Sequence, residues 1–223
     1  MKEYRATLTV ENYSFIKNVL SLMYNYVGSK YDEEALNDSD IHQLRVTWKK
    51  DYSPHVYTIV GLGPSYQKTE GRDADWGANG TAEWNYVLEQ GNLNFLLDKR
   101  YDVNNFSGNG DRGFVDTWET RFSFNQNLLE SFGMNGFLSY IYENRKSSQT
   151  TQDASIESDQ AQLEEFYRNR YSAGLGFSYS FMKYYSVGLN YIYTKLDSER
   201  TDEEYDDHRV FLTFSWNREL YRW

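Results

Sequence analysis

The sequence predicts an all-β fold, a transmembrane antiparallel up-and-down β-barrel, on three observations. Apolar and polar residues alternate with a period of two along most of the chain, the pattern of strands that show lipid only every second side chain. Aromatic residues make up 18% of the chain, with 21 Tyr against 2 Pro. Many Tyr and Trp residues recur near segment ends, where hydrocarbon meets headgroups. No apolar run approaches the roughly 20 residues that a membrane helix needs. The mean hydropathy of −0.79 fits a barrel wall, because half of its side chains face away from lipid.

Eleven segments carry the alternation. In chain order the first eight run through Ala6, Leu8 and Val10; Leu20, Leu22, Tyr24 and Tyr26; Leu44, Val46 and Trp48; Val56, Thr58, Val60 and Leu62; Ala82, Trp84, Tyr86 and Leu88; Leu93, Phe95 and Leu97; Trp118, Thr120, Phe122 and Phe124; and Met134, Gly136, Leu138, Tyr140 and Tyr142. The ninth sets Tyr167, Tyr171, Leu175, Phe177, Tyr179 and Phe181 against Arg168, Arg170, Ser172, Gly174, Gly176, Ser178 and Ser180. The tenth has Tyr185, Val187, Leu189, Tyr191 and Tyr193, and the eleventh Val210, Leu212, Phe214 and Trp216. A soluble sandwich would need both faces to fill space, and Ser, Gly and Asn fill little.

Short turns are expected near Phe15-Ile16-Lys17, Tyr52-Ser53-Pro54, Gly91-Asn92, Leu129-Glu130-Ser131 and Met182-Lys183-Tyr184. They recur about every 38 residues apart from one longer interval, a hairpin-by-hairpin repeat. Longer polar loops fall at 29–41, 68–78, 102–112, 146–164 and 196–207. Short turns on one side and long loops on the other match outer-membrane barrels. Eleven strands cannot close antiparallel, and bacterial single-chain barrels are even-numbered. Residues 1–223 read as one barrel domain with three ways to resolve the odd count: a missing N-terminal strand, which gives twelve in the intact protein and is the favoured reading, a strand number other than eleven, or an unusual seam. Met1-Lys2-Glu3-Tyr4 leads straight into alternation with no signal peptide, as in a mature chain with an added Met or a piece of a longer one.

The net charge of −10 argues against nucleic acid as a partner, since that needs clustered Lys and Arg. The absence of Cys excludes disulfides and thiolate metal sites and is consistent with an oxidising compartment.

The final residues, Val210 to Trp223, resemble the C-terminal strand by which outer-membrane proteins are recognised for assembly. Trp223 and Tyr221 fit that signal, while Glu219 and Asn217 break its phase. The stretches "RGFVDTWETRFSFNQNLLESFGMNGFLSYIYENR" and "RYSAGLGFSYSFMKYYSVGLNYIYTKLDSERTD" resemble the β-barrel porins associated with exopolysaccharide export systems. That resemblance rests on alternation over most of the chain. It implies passage, or support of passage, across the bacterial outer membrane and identifies no solute.

Three histidines bear on catalysis. His55 follows Pro54 in a short turn, whereas His42 and His208 lie at loop-side strand ends beside Asp38, Asp40, Asp206 and Asp207. These groups loosely resemble the carboxylate and Asp–His pairs of outer-membrane aspartyl-type proteases, in which a His–Asp couple activates water. The loops are rich in Asp and Glu, so such spacings also arise by chance. Acidic clusters at 31–40, 157–165 and 197–207 suit hard cations or lipopolysaccharide bridging, but no spacing matches a defined Ca²⁺ loop. Neither a cofactor nor a catalytic residue is required.

Opposite the apolar stripes stand Arg5, Glu11, Arg45, Lys49, Glu83, Glu89, Asp98, Arg100, Glu119, Arg121, Glu143, Arg168 and Arg170. Mixed charge of this kind lines either a weakly selective wet pore or a lumen closed by ion pairs. The sequence reads as a non-enzymatic, porin-like outer-membrane channel for polar solutes. The alternative is a non-conducting barrel with an ion-paired lumen, and a protease is a third reading. The expected partners are outer-membrane lipid and lipopolysaccharide, the barrel-assembly machinery, and envelope or export proteins.

Overall fold

The computed structural model describes residues 2–15, 17–30, 38–69, 74–104, 113–147, 166–181, 184–199 and 203–216. The eleven alternating segments are strands: β1 (Lys2–Phe15), β2 (Asn18–Lys30), β3 (Ser39–Ser53), β4 (Val56–Thr69), β5 (Asp75–Leu88), β6 (Gly91–Asn104), β7 (Gly113–Leu129), β8 (Phe132–Ser147), β9 (Phe166–Phe181), β10 (Tyr185–Ser198) and β11 (Tyr205–Trp216). Each pairs antiparallel with the next, in one sheet ordered β1 to β11. Several strands run a few residues into the stretches expected as loops, such as Ser39-Asp40-Ile41 in β3 and Asp75-Trp76 in β5. Ladder hydrogen bonds join backbones, so polar side chains do not end a strand where the apolar stripe ends.

The sheet is open. The expected barrel closure is not formed by these strands, because β1 and β11 are edges that do not pair with each other. With every neighbour antiparallel, the first and eleventh strands point the same way, so they could meet only as a parallel pair.

One turn sits two residues from its expected place. Leu88 pairs with Gly91, so Glu89 and Gln90 form the turn and Gly91 opens β6. Gly91 serves a close approach instead, since a Cβ there would collide with the Asn125 carbonyl oxygen. At the preceding tight connection, Ser53 Oγ accepts from the backbone N–H groups of His55 and Val56, both at 3.1 Å. This is a local side-chain cap of the kind that favours Ser in turns.

The convex face carries the apolar stripes. Leu8, Leu62, Leu138, Val210 and Leu212 are 61–75% exposed there, and aromatic residues of every strand flank them, including Tyr4 of β1 and Tyr66 of β4. The concave face is polar and curls sharply between β3 and β6. Side chains of β3 reach β5 and β6 directly, over a β4 that presents Gly61 and Gly63. A Cβ on Gly61 would meet Thr47, Thr81 and Arg45.

The ladder breaks at the same place. Leu44 and Arg45 have no register partners between the Gln43↔Ser65 and Val46↔Leu62 pairs, opposite Pro64, which has no N–H to offer. The Leu44 carbonyl oxygen lies over Gly63, where an added Cβ would overlap it. Gly63→Ala is therefore expected to destabilise the fold by about 1–3 kcal/mol, as overpacking does. The measurement is the urea midpoint of the refolded protein, and an unchanged midpoint would contradict this packing.

The buried apolar residues Val27, Ile41, Tyr101, Val115, Phe166 and Leu196 all lie towards the strand ends that border the longer loops. Val27, Ile41 and Tyr101 form one cluster, joining β2 and β3 to β6. The core thus sits at one end of the sheet.

Candidate functional site

The registers place twelve of the charged residues singled out in the sequence on the concave face. Glu83 lies opposite Leu96, Leu96 opposite Arg121, Asp98 opposite Glu119, and Glu143 opposite Arg168. Arg5, Glu11, Arg45, Lys49, Arg100 and Arg170 share that face through their own pairs. The thirteenth, Glu89, is in a turn. Tyr221 and Trp223 lie outside the described residues.

At the loop-side end of β3 to β7 these charges are joined. Arg45 donates from Nε to Asn79 Oδ1 at 2.7 Å, from one terminal nitrogen to Asp98 at 3.4 Å, and from the other to the Lys99 carbonyl at 3.2 Å. Arg100 then bridges Asp98 and Glu119, both at 3.0 Å. Gln43 donates to the Tyr101 carbonyl at 2.7 Å. The result is a polar plug across the concave face, in which a buried amide and paired ions satisfy one another.

Farther along the sheet Arg170 faces Glu143 at 3.7 Å, and Arg168 pairs with Glu203. Glu83 accepts from Tyr57 at 3.2 Å and from Asn94 at 2.8 Å. Lys49 lies over the Tyr57 ring and 3.4 Å from Asp51. Arg5 pairs with Glu3, and Glu11 accepts from Tyr13. Arg121 stands apart: its guanidinium rests 5.4 Å from the Phe137 ring centroid.

From β6 to β10 the turn-side half of this face carries mostly amides, hydroxyls and glycine. Asn92, Arg121, Ser123, Asn125, Asn135 and Phe137 line a shallow cavity of about 360 Å³ there. Phe137 is seated over Gly174, where a Cβ would strike its ring.

The two loop-side histidines are on the convex face, in matching surroundings. Tyr24 Oη lies 2.7 Å from His42 Nδ1, and Tyr26 donates to Asp40 at 2.6 Å. Tyr191 Oη lies 2.7 Å from His208 Nδ1, and Tyr193 donates to Asp206 at 3.0 Å. Register explains the match, since Tyr26 pairs with His42 and Tyr193 with His208. A related arrangement joins β8 and β9, where Tyr140 donates to Asn169 at 2.8 Å and Tyr142 pairs with Asn169.

Leu-x-Tyr-x-Tyr therefore recurs in β2, β8 and β10, at Leu22, Leu138 and Leu189, with Asp-x-His on the partner strand of two copies. Reading for alternation alone missed this repeat, and aligning the even-numbered strands on their tyrosines would have found it. In both His units the imidazole and the carboxylate engage separate tyrosine hydroxyls. Asp207 projects to the opposite face from His208, alongside Arg209.

Among the described residues no group of three or more His, Asp or Glu side chains is placed to hold a metal ion. The acidic segments at 31–37 and 157–165 lie outside the described residues. The fold and face chemistry define an all-antiparallel, up-and-down β-sheet protein with a polar concave face. No protein-family model matches the chain, and no curated protein matches it.

Proposed function

We propose that this chain forms the wall of a bacterial outer-membrane β-barrel and provides a porin-like route for polar solutes along its concave face. The observation that carries the reading is the division of one continuous sheet into two faces. Exposed Leu, Val and aromatic side chains cover one of them, far beyond the apolar patch that a water-soluble monomer tolerates. Amides, hydroxyls and paired charges cover the other, as in barrel lumens.

Edges of a sheet have unpaired backbone groups that hydrocarbon cannot satisfy. Closure with every pair antiparallel therefore needs an even strand number. A twelfth strand running against both β1 and β11 meets that need, whereas a second copy inserted the same way round would present only parallel edges. In this reading the convex face meets lipid, the loop end meets lipopolysaccharide, and the barrel-assembly machinery inserts the chain.

The non-conducting alternative has its own support in the Arg45 network, which ties β3 to β5 and β6. Single-channel recording separates the two. The porin reading expects discrete openings in a planar bilayer, and Arg45→Ala should raise their conductance by loosening the loop-side plug. Silence from inserted, folded protein, with Arg45→Ala also silent, would favour the closed barrel and overturn the channel.

A further inference from the structure

The charge inventory of the concave face is uneven. Seven arginine side chains are described among the strands, and six have a carboxylate within 4 Å: Arg5, Arg45, Arg100, Arg168, Arg170 and Arg209. Arg121 has no carboxylate partner among the described residues. The nearest acids in the register are engaged elsewhere: Glu119 holds Arg100 at 3.0 Å, and Glu83 is bonded by Tyr57 and Asn94. An exposed guanidinium alone would mean little, since water solvates it well. Arg121, however, lines the turn-side cavity together with Asn92, Ser123, Asn125 and Asn135, all neutral groups that can donate hydrogen bonds. Phe137 supports the guanidinium from below, which restricts it and leaves its donor edge for a ligand.

A planar cation with neutral donors around it and no competing acid matches an oxyanion, most simply a carboxylate held by two N–H groups. The amides and Ser123 then suit hydroxyls on the same molecule, and the Phe137 ring suits its carbon skeleton. We propose that this cavity is a binding site for small hydroxylated organic carboxylates, placed at the turn-side mouth of the concave face. The proposal rests on that face being a solute route. The site would concentrate anions at the entrance to a protein whose net charge of −10 otherwise repels them.

The test is calorimetric titration of the refolded full chain in detergent micelles with gluconate as probe and glucose as the neutral control. Saturable gluconate binding that weakens with salt is expected, without comparable binding of glucose. Arg121→Gln should lower the affinity about tenfold to a hundredfold, the range for a hydrogen-bonded charge. Asn135→Asp, which puts a carboxylate into the same wall, should lower it similarly while circular dichroism shows the strands intact. Equal gluconate affinity in wild type and Arg121→Gln, or no binding by folded wild type, would overturn the site. Binding and conduction fail separately. Protein that conducts without Arg121-dependent binding refutes the anion site alone, and protein that binds gluconate through Arg121 yet never conducts supports the site and refutes the route.

Discussion

Leu138→Arg is expected to destabilise the bilayer-inserted protein by about 2–4 kcal/mol, the cost of a cation on the lipid face near mid-membrane. Leu138 lies in the middle of β8 on the convex face, between Phe122 of β7 and Ala173 of β9, and is 61% exposed. That exposure gives the substitution its power. On a water-facing surface the same change would stay within about 0.5 kcal/mol. The neighbouring Ser139→Arg projects to the concave face and should shift the transition little. Urea titrations of both variants from liposomes give the comparison. Equal, small effects would contradict a lipid-facing convex surface.

The second large effect belongs to Asn79, which is 1% exposed. Its amide nitrogen donates towards the Leu44 carbonyl at 3.2 Å, the Pro64 carbonyl at 3.0 Å and Ser65 Oγ at 3.0 Å, and its oxygen accepts from Arg45 at 2.7 Å. It supplies a donor at the point where Pro64 leaves the ladder without one. Asn79→Ala removes all of this from a buried site and should cost about 2–4 kcal/mol, since orphaned buried acceptors carry their full desolvation penalty. Asn94→Ala is the control: its amide donates to Glu83 at 2.8 Å, and the expected cost of losing that bond is about 0.5–1.5 kcal/mol. Urea unfolding midpoints decide, and equal losses for the two variants would show that the broken ladder does not depend on Asn79.

These two residues also mark what the sequence can and cannot disclose. Leu138 was legible because alternation is a local property: Leu138, Tyr140 and Tyr142 face one way whatever the strand pairs with. The same rule put Arg45, Asp98 and Glu119 together on the other face. Asn79 was not legible, because its role depends on four partners spread from Leu44 to Ser65 and on the missing N–H of Pro64, a contact set fixed only by register. The curl over Gly61 and Gly63 was hidden for the same reason, since a glycine in a strand does not reveal which neighbour occupies its space. The distinction of Arg121 required knowing where the other described arginines found their carboxylates. The Tyr–His–Asp units are visible in the sequence as a repeat, but the acidic residues that crowd the histidines there do not show which of them pairs with a tyrosine.

A membrane wall requires that the two faces of the sheet meet different solvents. The most direct measurement is a spin-label scan of β10 from Val187 to Tyr193 in lipid bilayers, comparing accessibility to oxygen and to a water-soluble nickel chelate. A lipid-facing convex surface predicts a period of two. Labels at Val187, Leu189, Tyr191 and Tyr193 should favour oxygen, and those at Gly188, Asn190 and Ile192 should be less oxygen-exposed. Strong nickel accessibility at the odd-numbered positions, or no alternation in protein bound to the bilayer, would contradict a membrane-spanning wall.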